Sequence, residues 1–171
     1  MAISGRKPVA EETIRPEDSQ TVPWDEAGRR LADAGTFWLT TMDLDGRPHS
    51  RPLLAVLVDG ALHFVSSTSA RKWNNLERSS RCSISTSTDG LDLVVEGDAV
   101  RVIDDKKLQR VASAYESKYQ WTVEIRDGAF HAEGAPTAGP PPFHIYEVLP
   151  SKVFGFGTDE THGNHPTRWR F

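Results

Sequence analysis

Four Asp-Gly dipeptides, Asp45-Gly46, Asp59-Gly60, Asp89-Gly90 and Asp127-Gly128, set the terms on which this chain can fold. Asp-Gly pairs accept the positive φ angles of tight hairpin turns, and they mark hairpins where β-rich sequence flanks them. The stretch from Thr36 to Thr86 reads accordingly as a meander. Strands are predicted over 37–42, 51–58 and 61–66, followed by a short basic helix over 70–78 and a fourth strand over 82–86. A long fifth strand over 91–103 contains Gly97, which suits a bulge or bend of the kind barrels use to close. Pro23 and Gly35 bracket a helix over 24–34 in which Trp24, Ala27 and Leu31 recur at helical spacing. A second helix follows Asp104 or Asp105 as cap, with Leu108, Val111, Ala112, Tyr115 and Tyr119 as one apolar stripe. The segment 121–125 alternates, and a final strand over 143–156 is interrupted by Pro150. Ala135–Pro142 is too rich in proline for a sheet and reads as an ordered loop or lid.

Length and composition narrow the function. With 171 residues, 37% hydrophobic and 26% charged, the chain suits one globular domain over residues 23–171 preceded by a flexible polar arm over 1–22. A net charge of −4 argues against a general nucleic-acid or anionic-membrane binder. No stretch approaches the roughly 18 apolar residues of a membrane span, and the N-terminus lacks a signal-peptide core. The expected location is the cytoplasm. Cys82 is a lone cysteine in an alternating run and suits the core.

The common catalytic signatures GxSxG, Walker A and GxGxxG are absent from the sequence. His162 and His165 lie in a loop with no accompanying cysteine, so no metal site is expected. Asp43, Asp45, Asp59, Asp89 and Asp127 sit at turns, where their carboxylates cap backbone amides. The feature left over is the basic helix. Ser69 reads as its N-cap, yet Arg71 and Lys72 follow in the first turn, where the helix dipole disfavours cations. A bound anion offsets that penalty; a solvated helix face is the alternative. Hydroxyls of Ser66 and Ser67, the cations Arg51, Arg71 and Lys72, and Asn75 form a candidate phosphate cradle. Two or three charge-assisted hydrogen bonds, each about 1.5–3 kcal/mol, support micromolar binding of a phosphorylated ligand.

The meander, the serine-rich turn, the Lys72-x-x-Asn75-Leu76 helix and the terminal Thr167-Arg168-Trp169-Arg170-Phe171 together resemble the split β-barrel flavin-binding superfamily related to pyridoxamine 5′-phosphate oxidase. Within it, the pattern is most similar to the flavin/deazaflavin oxidoreductases that use FMN or coenzyme F420. The resemblance covers about 24–171. It implies a mainly β fold, a six- to seven-stranded antiparallel split barrel with flanking helices, and a homodimer with cofactor at the subunit interface. On matching positions it implies that Arg51, Ser66, Ser67, Arg71, Lys72 and Asn75 hold the phosphate. Pro48, His49, Ser50, Arg51, Pro52 and Leu53 border the ring, while Trp169 and Arg170 approach it from the other subunit. The resemblance further implies a small planar substrate and a cofactor that carries the hydride chemistry, with no side chain expected to act as a catalyst. Arg78 and Arg81 favour F420, whose tail is acidic. The Arg-x-His and Arg-Leu-x-Pro motifs of pyridoxamine oxidase itself are not evident, so vitamin B6 oxidation is not expected. The rival reading is a non-catalytic protein that sequesters a flavin-like cofactor or binds haem, with His49, His63, His131 and His144 as candidate axial ligands.

Overall fold

The computed structural model describes residues 5–15, 17, 20–135, 139–163 and 165–171. Its elements in chain order are β1 (Ala10–Thr13), α1 (Trp24–Asp33), β2 (Phe37–Met42), β3 (Pro48–Leu53), β4 (Ala55–Val58) and β5 (Ala61–Ser67). Then come α2 (Arg71–Leu76), β6 (Arg81–Thr88), β7 (Leu91–Arg101), α3 (Asp105–Tyr119), β8 (Glu124–Arg126), β9 (Ala129–His131), β10 (Phe143–Gly157) and β11 (Thr167–Arg170). The fold is mainly β, with every strand pair antiparallel.

One hydrogen-bonded path runs β4-β5-β10-β7-β6-β2-β3. Its two ends, β3 and β4, are consecutive in the chain and separated only by Leu54. The sheet therefore comes back on itself through a covalent corner, and among the described residues no hydrogen-bonded seam closes it. The predicted single strand over 51–58 is thus two strands. Pro52 cannot donate to a ladder, and the chain changes partner from β2 to β5 at that corner.

The turn dipeptides behave in two ways. Asp59-Gly60 and Asp127-Gly128 have positive φ at both residues, as a two-residue hairpin of the primed type demands. At 43–47 only Gly46 is positive, and the Asp43 carboxylate accepts from the amides of Asp45 and Arg47. Gly97 has a different task from the one expected of it. The register shift lies on β10 between Pro150 and Lys152, and a side chain at Gly97 would strike the Leu149 carbonyl at 2.1 Å. The glycine lets β10 bulge past β7.

The interior is split between two apolar clusters. One fills the barrel, with Phe37, Leu39, Phe64, Ile84, Leu93, and Trp169 among its members. The other lies between α3 and the outer face of β5 and β10, where Leu108, Val111 and Tyr115 are fully buried against Val65, Phe143 and Ile145. Each such side chain contributes about 2 kcal/mol of burial. Asp104 caps α3 by accepting from the Lys107 amide.

The N-terminal arm, expected to be flexible, is anchored where it is described. β1 pairs with β11 from Ala10↔Arg170 to Thr13↔Thr167. Glu12 takes hydrogen bonds from Arg168 at 2.6 Å and Arg170 at 3.2 Å, and Glu11 accepts from the Trp169 indole at 3.1 Å. The sequence AEET carries no apolar alternation, which is why it looked like an arm; ion pairs and ladder bonds hold it instead. No helix among the described residues is long and apolar enough to cross a membrane.

Candidate functional site

Strand β3 is the edge of the main path and, among the described residues, pairs only with β2. In an antiparallel pair, residues directly opposite share a face, so the register sorts its side chains. His49, Arg51 and Leu53 face the same way as Thr41, Leu39 and Phe37. Thr41 is buried and its hydroxyl accepts from the Asn75 side-chain amide at 2.9 Å, which fixes α2 against that face. Asn75 is itself buried. His49 and Arg51 therefore lie on the α2 side of the sheet, with Arg71 and Lys72.

The electrostatics run the same way. Burial first, then the charges of Arg51 and Arg71, opposed by Asp43, and then Lys72, hold the His49 imidazole below its ordinary pKa. Burial also depresses Lys72. Arg51 is exposed and donates to the Ser50 carbonyl at 2.8 Å. Three cations thus act on the His49 imidazole, beside an open groove of about 530 Å³ bounded by Arg71 and Asn75 on α2, by Glu77 and Arg78 just after it, and by Asp43 and Asp45 on the β2–β3 turn.

Other predicted site residues lie elsewhere. Pro48, Ser50 and Pro52 project to the opposite sheet face, beside Met42, Thr40 and Trp38, because strand side chains alternate. Leu53 is turned into the barrel core. Ser66 and Ser67 have no exposed surface. The Ser66 hydroxyl donates to the Ser67 carbonyl at 3.2 Å, and the Ser67 hydroxyl donates to Pro140 at 2.6 Å. Gly139 packs directly on Ser67 and Ser69. The proline-rich loop therefore covers the serine turn; its residues 136–138 lie outside the described residues. Helix α2 has six residues and its N-cap is Ala70, with no side-chain cap bond. The expected Ser69 cap is absent because that hydroxyl pairs with Ser67. With so short a helix, the cations carry the anion affinity and the dipole adds little.

Trp169 is the plainest correction. It has no exposed surface, its ring centroid lies 5.7 Å from that of Trp24, and its edge fills the space above Gly155. A side chain enclosed in its own barrel cannot reach a ring bound by another subunit. Arg170 is exposed and paired with Glu12.

A second cluster carries no motif in the sequence. Arg101, at the end of β7, Trp73 of α2 and His144 of β10 meet at the end of the barrel, with Arg101 donating to His144 Nδ1 at 2.6 Å. These residues are 28 and 43 positions apart in the chain, which hides them from any local pattern. Among the described residues no group of three His, Cys, Asp or Glu could hold a metal ion.

Several solved structures share the fold. PhzG from Burkholderia lata 383, solved with tetrahydrophenazine-1-carboxylic acid, aligns at a TM-score of 0.60 and 19% identity, over 94% of this chain and 93% of its own. A putative pyridoxamine 5′-phosphate oxidase from Listeria innocua aligns at 0.56 and 16%, over 75% and 94%. A haem-binding protein from Mycobacterium smegmatis aligns at 0.60 and 19%, over 77% of this chain, which spans only 52% of that protein. No curated protein matches the sequence. The sequence pattern of the pyridoxamine 5′-phosphate oxidase family matches residues 24–156, the span that builds the barrel and α2, and the chain belongs to that family.

Proposed function

We propose that the protein binds a phosphorylated flavin-type cofactor, FMN or coenzyme F420, and transfers hydride between it and a small planar substrate. The observation that carries this reading is that Arg51 of the edge strand β3 and Arg71 and Lys72 of α2 all act on His49, on the sheet face that α2 covers. A phosphate suits that donor set: two guanidinium forks and an ammonium, one of them partly desolvated. Asn75 is engaged with Thr41 and serves to seat the helix. When bound, the cofactor supplies the redox chemistry, and the chain supplies position and a dry boundary. Arg78, on the same groove as Arg71, is the cation that favours the acidic tail of F420.

A second copy of the chain belongs to the reading. The β3 edge leaves its outer backbone groups unpaired by the sheet, and Trp38 (51% exposed) and Met42 (40%) stand beside it on the far face. Sedimentation of the purified chain is expected to give a dimer, and Trp38→Glu is expected to shift it toward monomer.

The test of the cofactor is the absorption spectrum of the purified protein, followed by fluorescence titration with FMN and with F420. Lys72→Ala is expected to weaken binding about ten-fold or more, a loss of roughly 1.5 kcal/mol. If neither cofactor binds more tightly than millimolar, the reading fails.

A non-catalytic, haem-binding role is the second reading, prompted by the similarity to the Mycobacterium smegmatis protein. Two of the four candidate ligands weigh against it. His63 has no exposed surface, and His144 Nδ1 is held by Arg101. A Soret band on haemin addition that disappears in His49→Ala or His131→Ala would favour this role instead.

A further inference from the structure

Several surface arginines are neutralised. Arg30, Arg110, Arg168 and Arg170 each pair with a carboxylate. Arg101 is exposed and forms no ion pair among the described residues. Its guanidinium is nonetheless held in place. Nη2 donates to His144 Nδ1 at 2.6 Å, Cζ lies 5.6 Å above the Trp73 ring, and Trp73 and His144 are 4.7 Å apart. A cation with its direction already set has lost less freedom to bind than a mobile one.

The neighbours add donors. Because His144 Nδ1 accepts from Arg101, the imidazole is the neutral Nε2–H tautomer, and Nε2 has no partner among the described residues. Burial first, then the Arg101 charge, lowers the His144 pKa and keeps that tautomer neutral. Tyr146, directly across the ladder from Arg101, is 3% exposed, and its hydroxyl is buried with no partner among the described residues. An unpartnered buried hydroxyl costs about 1–3 kcal/mol, which a bound acceptor or a water recovers. Burial and Glu77 push that hydroxyl up to about 12, so it remains a donor.

Arg101, His144 and Trp73 lie outside the lining of the cofactor groove, although Glu77 of that lining acts on His144 and Tyr146. At about 100° per residue, Trp73 projects from the side of α2 opposite Arg71 and Asn75. Charge then selects the ligand. Glu77 acts electrostatically on both His144 and Tyr146, which admits one negative charge more readily than two.

We propose that Arg101, His144 and Trp73 form a second ligand site, independent of the cofactor, that takes a small organic monocarboxylate. Its carboxylate accepts the Arg101 N–H groups that His144 does not hold, while His144 and Trp73 keep the guanidinium in place. The site calls for one carboxylate rather than a phosphate, and for a planar contact rather than a long chain.

The test uses the full chain labelled with ¹⁵N, titrated with sodium acetate and, separately, with inorganic phosphate at constant ionic strength. Acetate is expected to shift the Trp73 indole and His144 ring resonances saturably, with a Kd on the order of millimolar. Phosphate is expected to bind these resonances at least ten-fold more weakly. Arg101→Met is expected to lower acetate affinity at least ten-fold, and so is Arg101→Lys, which keeps the charge and loses the fork. Lys72→Ala is expected to leave acetate binding unchanged, which separates this site from the cofactor groove. The proposal is overturned if acetate produces no saturable shift at Trp73 and His144, if phosphate binds there as well as acetate, or if Arg101→Lys binds acetate like the parent chain. An unperturbed spectrum of amide resonances in each variant shows that folding is retained, and a variant that lost it would be replaced by His144→Asn read in the same titration.

Discussion

Trp169→Ala is expected to destabilise the protein by about 3–5 kcal/mol, because the side chain is large, fully enclosed and cannot be replaced by collapse of its surroundings. Its neighbours make the site rigid. Trp24 packs edge-on against it at 5.7 Å, Phe171 packs on Trp24 at 5.0 Å, and Gly155 leaves no side chain to fill the space below. The indole also donates to Glu11, so truncation removes a charge-assisted bond that ties β1 to the barrel. For a chain of this length the loss corresponds to a fall in Tm of roughly 10 °C. Thermal and urea unfolding measure it directly. Trp169→Phe keeps most of the packing and is expected to cost far less. A Trp169→Ala variant with unchanged stability would contradict the enclosed placement and return the residue to the cofactor surface.

Acid is expected to weaken the fold through His63. This residue has no exposed surface, and burial first, partly offset by Glu147 and by the Ala61 carbonyl, lowers its pKa to about 4. The ring donates from Nδ1 to Ala61 at 3.0 Å, which leaves Nε2 a bare acceptor buried without a partner among the described residues. The direction of the effect follows from linkage. The folded pKa is depressed, so between about pH 6.5 and pH 4 the unfolded chain takes a proton that the native chain refuses, and stability falls as pH falls. Below the folded value the loss stops growing. The full span amounts to about 3 kcal/mol. Urea unfolding at pH 7 and pH 4.5 isolates it when His63→Leu is run beside the parent chain. The variant is expected to lose less stability over that interval, by about 2 kcal/mol, because other groups titrate equally in both. Equal losses in the two proteins would show that His63 is accessible to protons in the native state.

Much of the barrel was legible in local sequence. The helix start at Pro23, the Asp104 cap and the strand over 37–42 are features of a few consecutive residues, and they occur where expected. Two of the Asp-Gly turns are the tight hairpins their chemistry requires. The cations of the candidate site were legible for the same reason: Arg71 and Lys72 stand out against the turn that precedes them. What misled was exposure. Ser66 and Ser67 are small and polar, as surface donors are, but the loop from 139 to 142 folds over them and takes the Ser67 hydroxyl. Pro48, Ser50 and Pro52 were grouped with His49 and Arg51 by adjacency, whereas strand alternation sends the two sets to opposite faces.

By itself, then, the sequence determined that the chain is a hairpin-rich, mainly β protein with a cation-bearing helix inside the meander, since turn chemistry, periodicity and charge are properties of neighbours in the chain. Only the tertiary structure decided which side chains see solvent and which meet across distance. Trp169 entered the core because β11 pairs between β1 and β10. Arg101, Trp73 and His144 came together because β7 and β10 run side by side to the barrel end that α2 covers. Burial and long-range contact arise from the pairing of distant strands, and no window of consecutive residues contains that information.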